Sequence, residues 1–353
     1  MTTSIRDRIA MLESLLLIAT LHAAAPDACV PETSRTDPID AVVGAFAEAG
    51  VRVVALGENH GHLEFHDLLL EILSDPRAAV RIDDVAVEWG NARYQDVVDR
   101  WVAGLEAPWD SVQMAWRNSV VSPNTVWDAP VYARFFQRIR DLNAGLPPEH
   151  RYRVVLADGG VEWSAVRERD DLSPYLDRAR TMAETIRQAS LLRGRTTLFV
   201  AGGLHVAKRN RVQVDARGLP RAEITAIGWI ELHHPGVSRS IQSMARPEAL
   251  GVPELEGSGP PSVRSADRPE LASIPANRTT TLRNRDGGRP DVYGTATLAD
   301  VVDAVIVWDS TRRTFPEPDP SIYADDRWWA ELNRRSQLVR GRPMDPSIRD
   351  PAR

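Results

Sequence analysis

The sequence predicts an α/β fold, with a mainly parallel central sheet, helices on both faces and a long irregular insertion before the last strand. Three observations carry that expectation. Apolar runs of strand length alternate with stretches of helical period, the pattern of βαβ units. The first run, Val53-Val54-Ala55-Leu56, is continuously apolar, as a strand buried on both faces requires. Four of the runs end in glycine beside an acid or a histidine. The carboxyl ends of parallel strands are where open sheets keep their ligand sites.

Taken in order, residues 1–36 read as a signal-peptide-like or amphipathic segment and linker. Arg6 and Arg8 precede the short apolar stretch Ser14 to Ala25, which ends in small residues as a secretory signal does. Glu13 and Pro26 interrupt that pattern, and Ile5, Ile9, Leu12, Leu16 and Ala19 also recur at helical spacing. Export to the periplasm or medium is the first expectation and a cytoplasmic location the second. Gly57 closes the first strand, and His62 to Leu73 follows as a helix with Phe65, Leu68, Leu69 and Ile72 inward. Asp84 to Gly90 is a second strand; Tyr94, Val97, Val98, Trp101 and Val102 then mark a helix. Residues 107–130 read as a loop or short-helix excursion near the site, Val131 to Leu142 as a helix, and Pro147-Pro148 as a turn.

Arg153 to Gly160 is a third strand, Leu172 to Leu192 is helix-rich, and Thr197 to His205 is a fourth strand running into glycines and a histidine. Glu223 to Leu232 is expected as a fifth strand leading to His233-His234-Pro235. Residues 246–295 are rich in Pro, Gly, Ser and Arg and read as a long surface excursion or mobile loop. Val301 to Trp308 is expected as the last strand, Asp325 to Val339 as a terminal amphipathic helix, and 343–353 as a tail. The organisation is therefore one α/β domain over 37–245 and 296–342.

Composition narrows the function classes. A chain of 353 residues with 43% hydrophobic content can bury one large core. A net charge of -6 and a pI near 5.8, with no basic run interleaved with aromatics, exclude a nucleic-acid surface. The single cysteine, Cys29, rules out an internal disulfide, a Cys-rich metal site and c-type haem attachment. No later segment is long and apolar enough to span a bilayer. A small-molecule substrate or ligand is the expected partner, and no residue pattern sets an oligomeric state.

The strand ends deliver Glu58 and His60, then Glu88, then Asp158, then His205, with His233 and His234 after the fifth run. If the strands are parallel, these ends share one edge of the sheet and their side chains can converge in one crevice. Each has a plainer alternative. Glu58 can cap the following helix, and His205 can be a satisfied core histidine. His62 and His66, at i and i+4, can be a metal pair or a solvated helix face. Glu88 has the weakest plain alternative, because a buried acid costs several kcal/mol unless paired. Glu64, Asn91, Arg93, Asp158 and Trp163 follow the strand ends and are the substrate-binding candidates; Arg93 and Arg117 have the charge to hold an anion. Trp101, Trp127 and Trp163 have core packing as their plainer reading.

Gly57-Glu58-Asn59-His60-Gly61 with Glu64-Phe65, a strand ending in Glu88, and Gly202-Gly203-Leu204-His205 together resemble a known superfamily. It unites erythromycin esterase-like proteins, ChaN-like haem-uptake proteins, TraB proteins and Tiki proteases. The resemblance covers about residues 40 to 230 and the strand at 301–308. A single residue, Asn59, separates Glu58 from His60, as in the ChaN-like branch, whereas Gly61 and Glu64-Phe65 resemble the esterase branch. The resemblance implies a hydrolase of the erythromycin esterase or Tiki type acting on an ester or amide. His60 would be the general base, Glu58 or Glu88 would orient it, and His205 would stabilise the oxyanion or protonate the leaving group. It also leaves open a metal-assisted version, with Glu58, His60, Glu88 and His205 holding Zn or Mn. The ChaN-like alternative is a protein that binds haem or another flat ligand without catalysis. No Gly-x-Ser-x-Gly elbow is present, so a covalent acyl-enzyme is not expected.

Overall fold

The computed structural model describes residues 35–214, 220–252, 259–279, 291–309 and 311–349. The signal-peptide-like segment lies outside the described residues. Thr36–Arg353 form one compact unit. Its elements in chain order are α1 (Pro38–Ala45), β1 (Val53–Glu58), α2 (Leu63–Ser74), α3 (Pro76–Arg81), β2 (Asp84–Asn91), α4 (Gln95–Val102), α5 (Trp109–Arg117) and α6 (Pro130–Gly145). There follow β3 (Arg153–Asp158), α7 (Arg178–Ala189), β4 (Thr197–Gly202), α8 (Gly203–Val206), β5 (Arg211–Val214), β6 (Pro220–Glu223), α9 (Ala226–His233) and β7 (Ser238–Met244). The last are β8 (Ser262–Ser265), α10 (Pro269–Ala272), α11 (Leu298–Val301), β9 (Ala304–Val307) and α12 (Asp326–Arg340).

The central sheet has seven strands in the order β3-β2-β4-β1-β7-β9-β8. All neighbours pair in parallel except β8, which runs antiparallel to β9 at one edge. The strands alternate strictly between two cores, as the period of two demands. Val54, Leu56, Val85, Val87, Val154, Leu156, Leu198 and Val200 face one, with Phe65, Leu69, Phe135 and Phe136 from α2 and α6. Val53, Ala55, Ala86, Val155, Phe199 and Ala201 face the other, with Met182, Ile186, Ile227 and Ile230 from α7 and α9. This is the expected α/β layering. No helix among the described residues is long and apolar enough to cross a membrane.

The β3 edge is closed by two side-chain amides. Asn143 accepts from Tyr152 N and donates to Tyr152 O, both at 2.9 Å. Gln95 donates to Val154 O at 2.7 Å and accepts from Leu156 N at 2.9 Å. Two amides thus take the place of a neighbouring strand on an edge that would otherwise template association.

Two expectations are corrected. Glu223 to Leu232 is not a strand: Ala226–His233 is helix α9, started by the Thr225 hydroxyl accepting from Gly228 N at 2.9 Å. Its buried residues Ala226, Ile227 and Ile230 fall at helical spacing. The fifth parallel strand is Ser238–Met244, whose polar sequence hides it. Its serines find partners: Ser240 N donates to Asp303 at 2.7 Å, and Trp308 Nε1 donates to Ser243 Oγ at 2.8 Å. The stretch 246–295 is also more than surface. It supplies edge strand β8, and Leu250, Ala266, Leu271, Ile274 and Ala276 are buried in a third core against β9.

Candidate active site

At the carboxyl edge of the sheet, β1 ends in Glu58 and the turn after it carries His60 back over the strand ends. His60 Nδ1–H donates to Glu58 Oε1 at 2.8 Å. The other oxygen, Oε2, accepts from His66 Nε2 at 2.8 Å, reaching in from α2. From α6, the Tyr132 hydroxyl donates to Glu58 Oε1 at 3.3 Å and accepts from Gly61 N at 2.9 Å. Gly61 has φ +78°, which lets the chain turn under Tyr132. Glu58 therefore does not cap the helix; all its partners are side chains. Burial pushes its carboxyl up, but the hydrogen bonds from His60 and His66 outweigh this and hold it below the usual range.

Glu88, on β2, is buried and triply held. It accepts from Gly202 N at 2.6 Å and from Arg178 Nη2 at 2.9 Å, and His205 Nε2 lies 3.5 Å away. Burial works against its charge, but His205, Arg178 and His60 hold the carboxyl well below its ordinary value. Arg178, the first residue of α7, forks onto Asp158 at the end of β3, with Nε donating at 3.0 Å and Nη2 at 3.2 Å. Burial raises the Asp158 carboxyl despite that pairing. The third guanidinium nitrogen, Nη1, makes no hydrogen bond among the described residues, and Arg178 lines the cavity.

His60 and Glu88 meet over Gly202, with His205 beside Glu88. A Cβ on Gly202 would stand 3.0 Å from His60 Nε2 and 3.3 Å from Glu88 Oε2. Burial lowers the His60 imidazole, but the Glu88 and Glu58 carboxylates raise it above its ordinary value. Its Nε2 makes no hydrogen bond among the described residues, and 36% of the side chain is exposed, so this nitrogen is open to the cavity. The cavity holds about 220 Å³. Gln242 on β7 closes one wall, and Thr279 and Tyr293 from the insertion close another.

Of the sequence candidates, Glu58, His60, Glu88 and His205 come together around this cavity. The five substrate-binding candidates do not line it. Glu64 accepts from Thr314 N and Oγ1 on the far side of α2, and Arg93 pairs with Glu162 at 3.1 Å on the surface. Asn91 bonds the carbonyls of Asn118 and Val161, and Trp163 Nε1 donates to Ser119 O at 3.1 Å. Asp158 acts one step behind, through Arg178. Arg117 pairs with Asp128 at 3.3 Å, and His233 stacks on Trp229 at 6.3 Å. His62 and His66 are not a metal pair: His62 Nε2 donates to Arg312 O at 3.0 Å beneath Phe315, whereas His66 turns to Glu58.

The residues do not fit a Zn or Mn centre. Both oxygens of Glu58 accept from imidazoles, and both oxygens of Glu88 are engaged by Gly202 N, Arg178 and His205. Among the described residues no group of three or more His, Cys, Asp or Glu side chains is arranged to hold a metal ion.

Arg178, Gln242, Tyr132 and Tyr293 were not singled out by the sequence. Arg178 sits 20 residues beyond β3, and Gln242 lies on the strand whose polar composition concealed it. The signal that finds Gln242 is the pair Gly57 and Gly203, where any Cβ would collide with its side-chain amide.

No family model matches the chain, and no curated protein does. Among solved structures it is similar to a protein from Bacillus cereus, at 13% identity and TM-score 0.46, over 76% of this chain and 90% of that one. It is also similar to the type III effector HopBA1, at 14% identity and TM-score 0.38, over 65% of this chain and 88% of that one. A third likeness is to ChaN of Campylobacter jejuni, described for cofacial heme binding, at 12% identity and TM-score 0.36, over 58% and 85%. The fold and the site rest on the chain's own geometry rather than on these distant likenesses. The superfamily expected from the motifs is represented among them by ChaN, without a family match.

Proposed function

We propose that the chain is a hydrolase in which His60 activates a water against the carbonyl carbon of a small ester or amide. The observation that supports this reading is the Glu58–His60 pair, whose Nδ1–Oε1 bond of 2.8 Å leaves Nε2 open to the cavity. This is the base-and-orienter arrangement of general-base catalysis. His60 Nε2 takes one proton of the water as its oxygen bonds to the carbonyl carbon, and the π pair moves to the carbonyl oxygen. Arg178 and His205, which line the cavity, are assigned the stabilisation of that oxyanion. The pair then returns to re-form the carbonyl, the leaving-group bond breaks, and the His60 proton goes to the leaving atom. The ion pairs to Glu88 and Asp158 hold Arg178 in place for this role. The cavity volume of about 220 Å³ favours a small acyl substrate for the first test.

A panel of short-chain esters and amides assayed with wild type, His60→Ala and His205→Ala tests the reading. His60→Ala should lose about 10²–10⁴-fold in kcat/KM; unchanged turnover in both variants would sink it. A Soret shift on titration with hemin, with no turnover of any ester, would replace hydrolysis by flat-ligand binding.

A further inference from the structure

Glu58 is gripped at both oxygens, and only one of those grips is the base. His66 and Tyr132 do not themselves line the cavity and reach it only through Glu58: His66 is 1% exposed and Tyr132 fully buried. We propose that His66 and Tyr132 are positioning residues that lock the Glu58 carboxylate, and through it set the proton of His60 on Nδ1 so that Nε2 stays a free acceptor. This deepens the hydrolase reading and rests on it for its rate arm only.

A carboxylate free to rotate about its last bond offers either oxygen to His60 along a range of directions. Here Oε2 is fixed by the His66 Nε2–H at 2.8 Å, and Oε1 by the Tyr132 hydroxyl at 3.3 Å. Tyr132 is itself fixed by the Gly61 amide at 2.9 Å, one residue beyond His60, so the turn and the carboxylate share one anchor. Because Glu58 Oε2 is an acceptor, the His66 proton sits on Nε2. Its Nδ1 is buried without a hydrogen-bond partner. A buried nitrogen left bare is a cost the core bears to keep Nε2 on Glu58.

Aromatic rings hold both imidazoles in plane. His60 meets the edge of Trp127 at 4.6 Å, and His66 packs between Tyr132 at 5.0 Å and Trp89 at 5.6 Å. The same rings screen Glu58 from water, which strengthens each of its hydrogen bonds. A plain packing role for His66 would need its shape only; the proposed role needs its donor.

The test uses full-length protein labelled with ¹⁵N-histidine, with long-range ¹H–¹⁵N spectra reading the His60 tautomer across pH without any substrate. Wild type should show neutral His60 protonated on Nδ1. His66→Ala and Tyr132→Phe should mix in the Nε2-protonated form. They should also lower kcat on a short-chain ester about tenfold with KM little changed, the size expected for one hydrogen bond acting through another residue. His66→Gln, which keeps a donor near the Nε2 position, should restore both. A His60 tautomer and titration midpoint unchanged in Tyr132→Phe and His66→Ala would overturn the proposal. Tyr132→Phe removes only a hydroxyl, so it decides the matter alone where His66→Ala does not fold. Absence of ester turnover by wild type would refute the hydrolase reading and leave the spectroscopic arm to decide this one.

Discussion

Gly202→Ala adds one methyl group at the point where the site converges. The backbone there, φ −56° and ψ 143°, is open to any residue, so alanine meets no backbone strain. Its Cβ would stand 2.8 Å from His60 Cε1 and 3.0 Å from Nε2. Carbon contacts become comfortable near about 3.5 Å, so the ring must retreat by about 0.7 Å. A retreat of that size moves Nε2 from its place in the cavity and disturbs the 2.8 Å bond from Nδ1 to Glu58. Misplacing a reacting group by about 1 Å costs about 10²-fold. We therefore expect kcat/KM on a short-chain ester to fall about 10²-fold, with a stability loss of about 1–3 kcal/mol from overpacking. Gly44→Ala, on α1 with nothing within 4 Å of its Cβ, is the control and should keep full activity. Steady-state kinetics and urea unfolding of the two variants decide it. A Gly202→Ala enzyme within twofold of wild type would refute the convergence of His60 and Glu88 over this residue.

Other perturbations probe separate parts of the molecule. Glu88→Gln removes the charge that most strongly raises His60, so the acid limb of the pH–rate profile should move to lower pH; an unmoved limb contradicts that pairing. Asp128 is pushed by burial from 3.8 up to about 6, despite Arg117 and the Tyr323 hydroxyl. Its folded pKa exceeds its unfolded one, so stability falls as pH rises from about 4 through 6, by at most about 3 kcal/mol at 1.36 kcal/mol per unit. Urea unfolding at pH 4.5 and 7.5 should show that Asp128→Asn lacks this loss; equal pH dependence in both proteins contradicts it. Gln95→Ala leaves Val154 O and Leu156 N bare at the sheet edge. It should cost about 1–3 kcal/mol and raise light scattering on storage. A variant that is as stable and as monodisperse as wild type would show that the amide guards nothing.

The layered sheet and half of the site were legible because both are written in adjacent residues. Val53 to Leu56 is apolar on both faces, so its strand is visible, and Glu58 and His60 follow it directly. Glu88 and His205 were visible for the same reason. What stayed hidden depends on partners far away in sequence. Ser238–Met244 looks too polar for a buried strand until Asp303 and Trp308 are seen to satisfy its serines. With that strand unread, Gln242 could not be placed beside Gly57, its parallel partner. Glu223 to Leu232 reads as a strand, and Ala226–His233 within it is a helix, because a short apolar run fits either period. Arg178 is one arginine among many in the sequence, and only the two acids that grip it set it apart. His66 sat in the sequence as half of an i, i+4 pair; the fold splits the pair and gives His66 to Glu58.

The central claim is that His60, oriented by Glu58, is the base. Its most direct test is one sample measured two ways: the pH dependence of kcat/KM on a short-chain ester, and the titration of the His60 imidazole by NMR. Because Glu88 and Glu58 outweigh burial, both midpoints should lie above the ordinary value of 6.5 and coincide, with activity rising as the ring loses its proton. A rate that falls across that titration, or one that ignores it, contradicts the account.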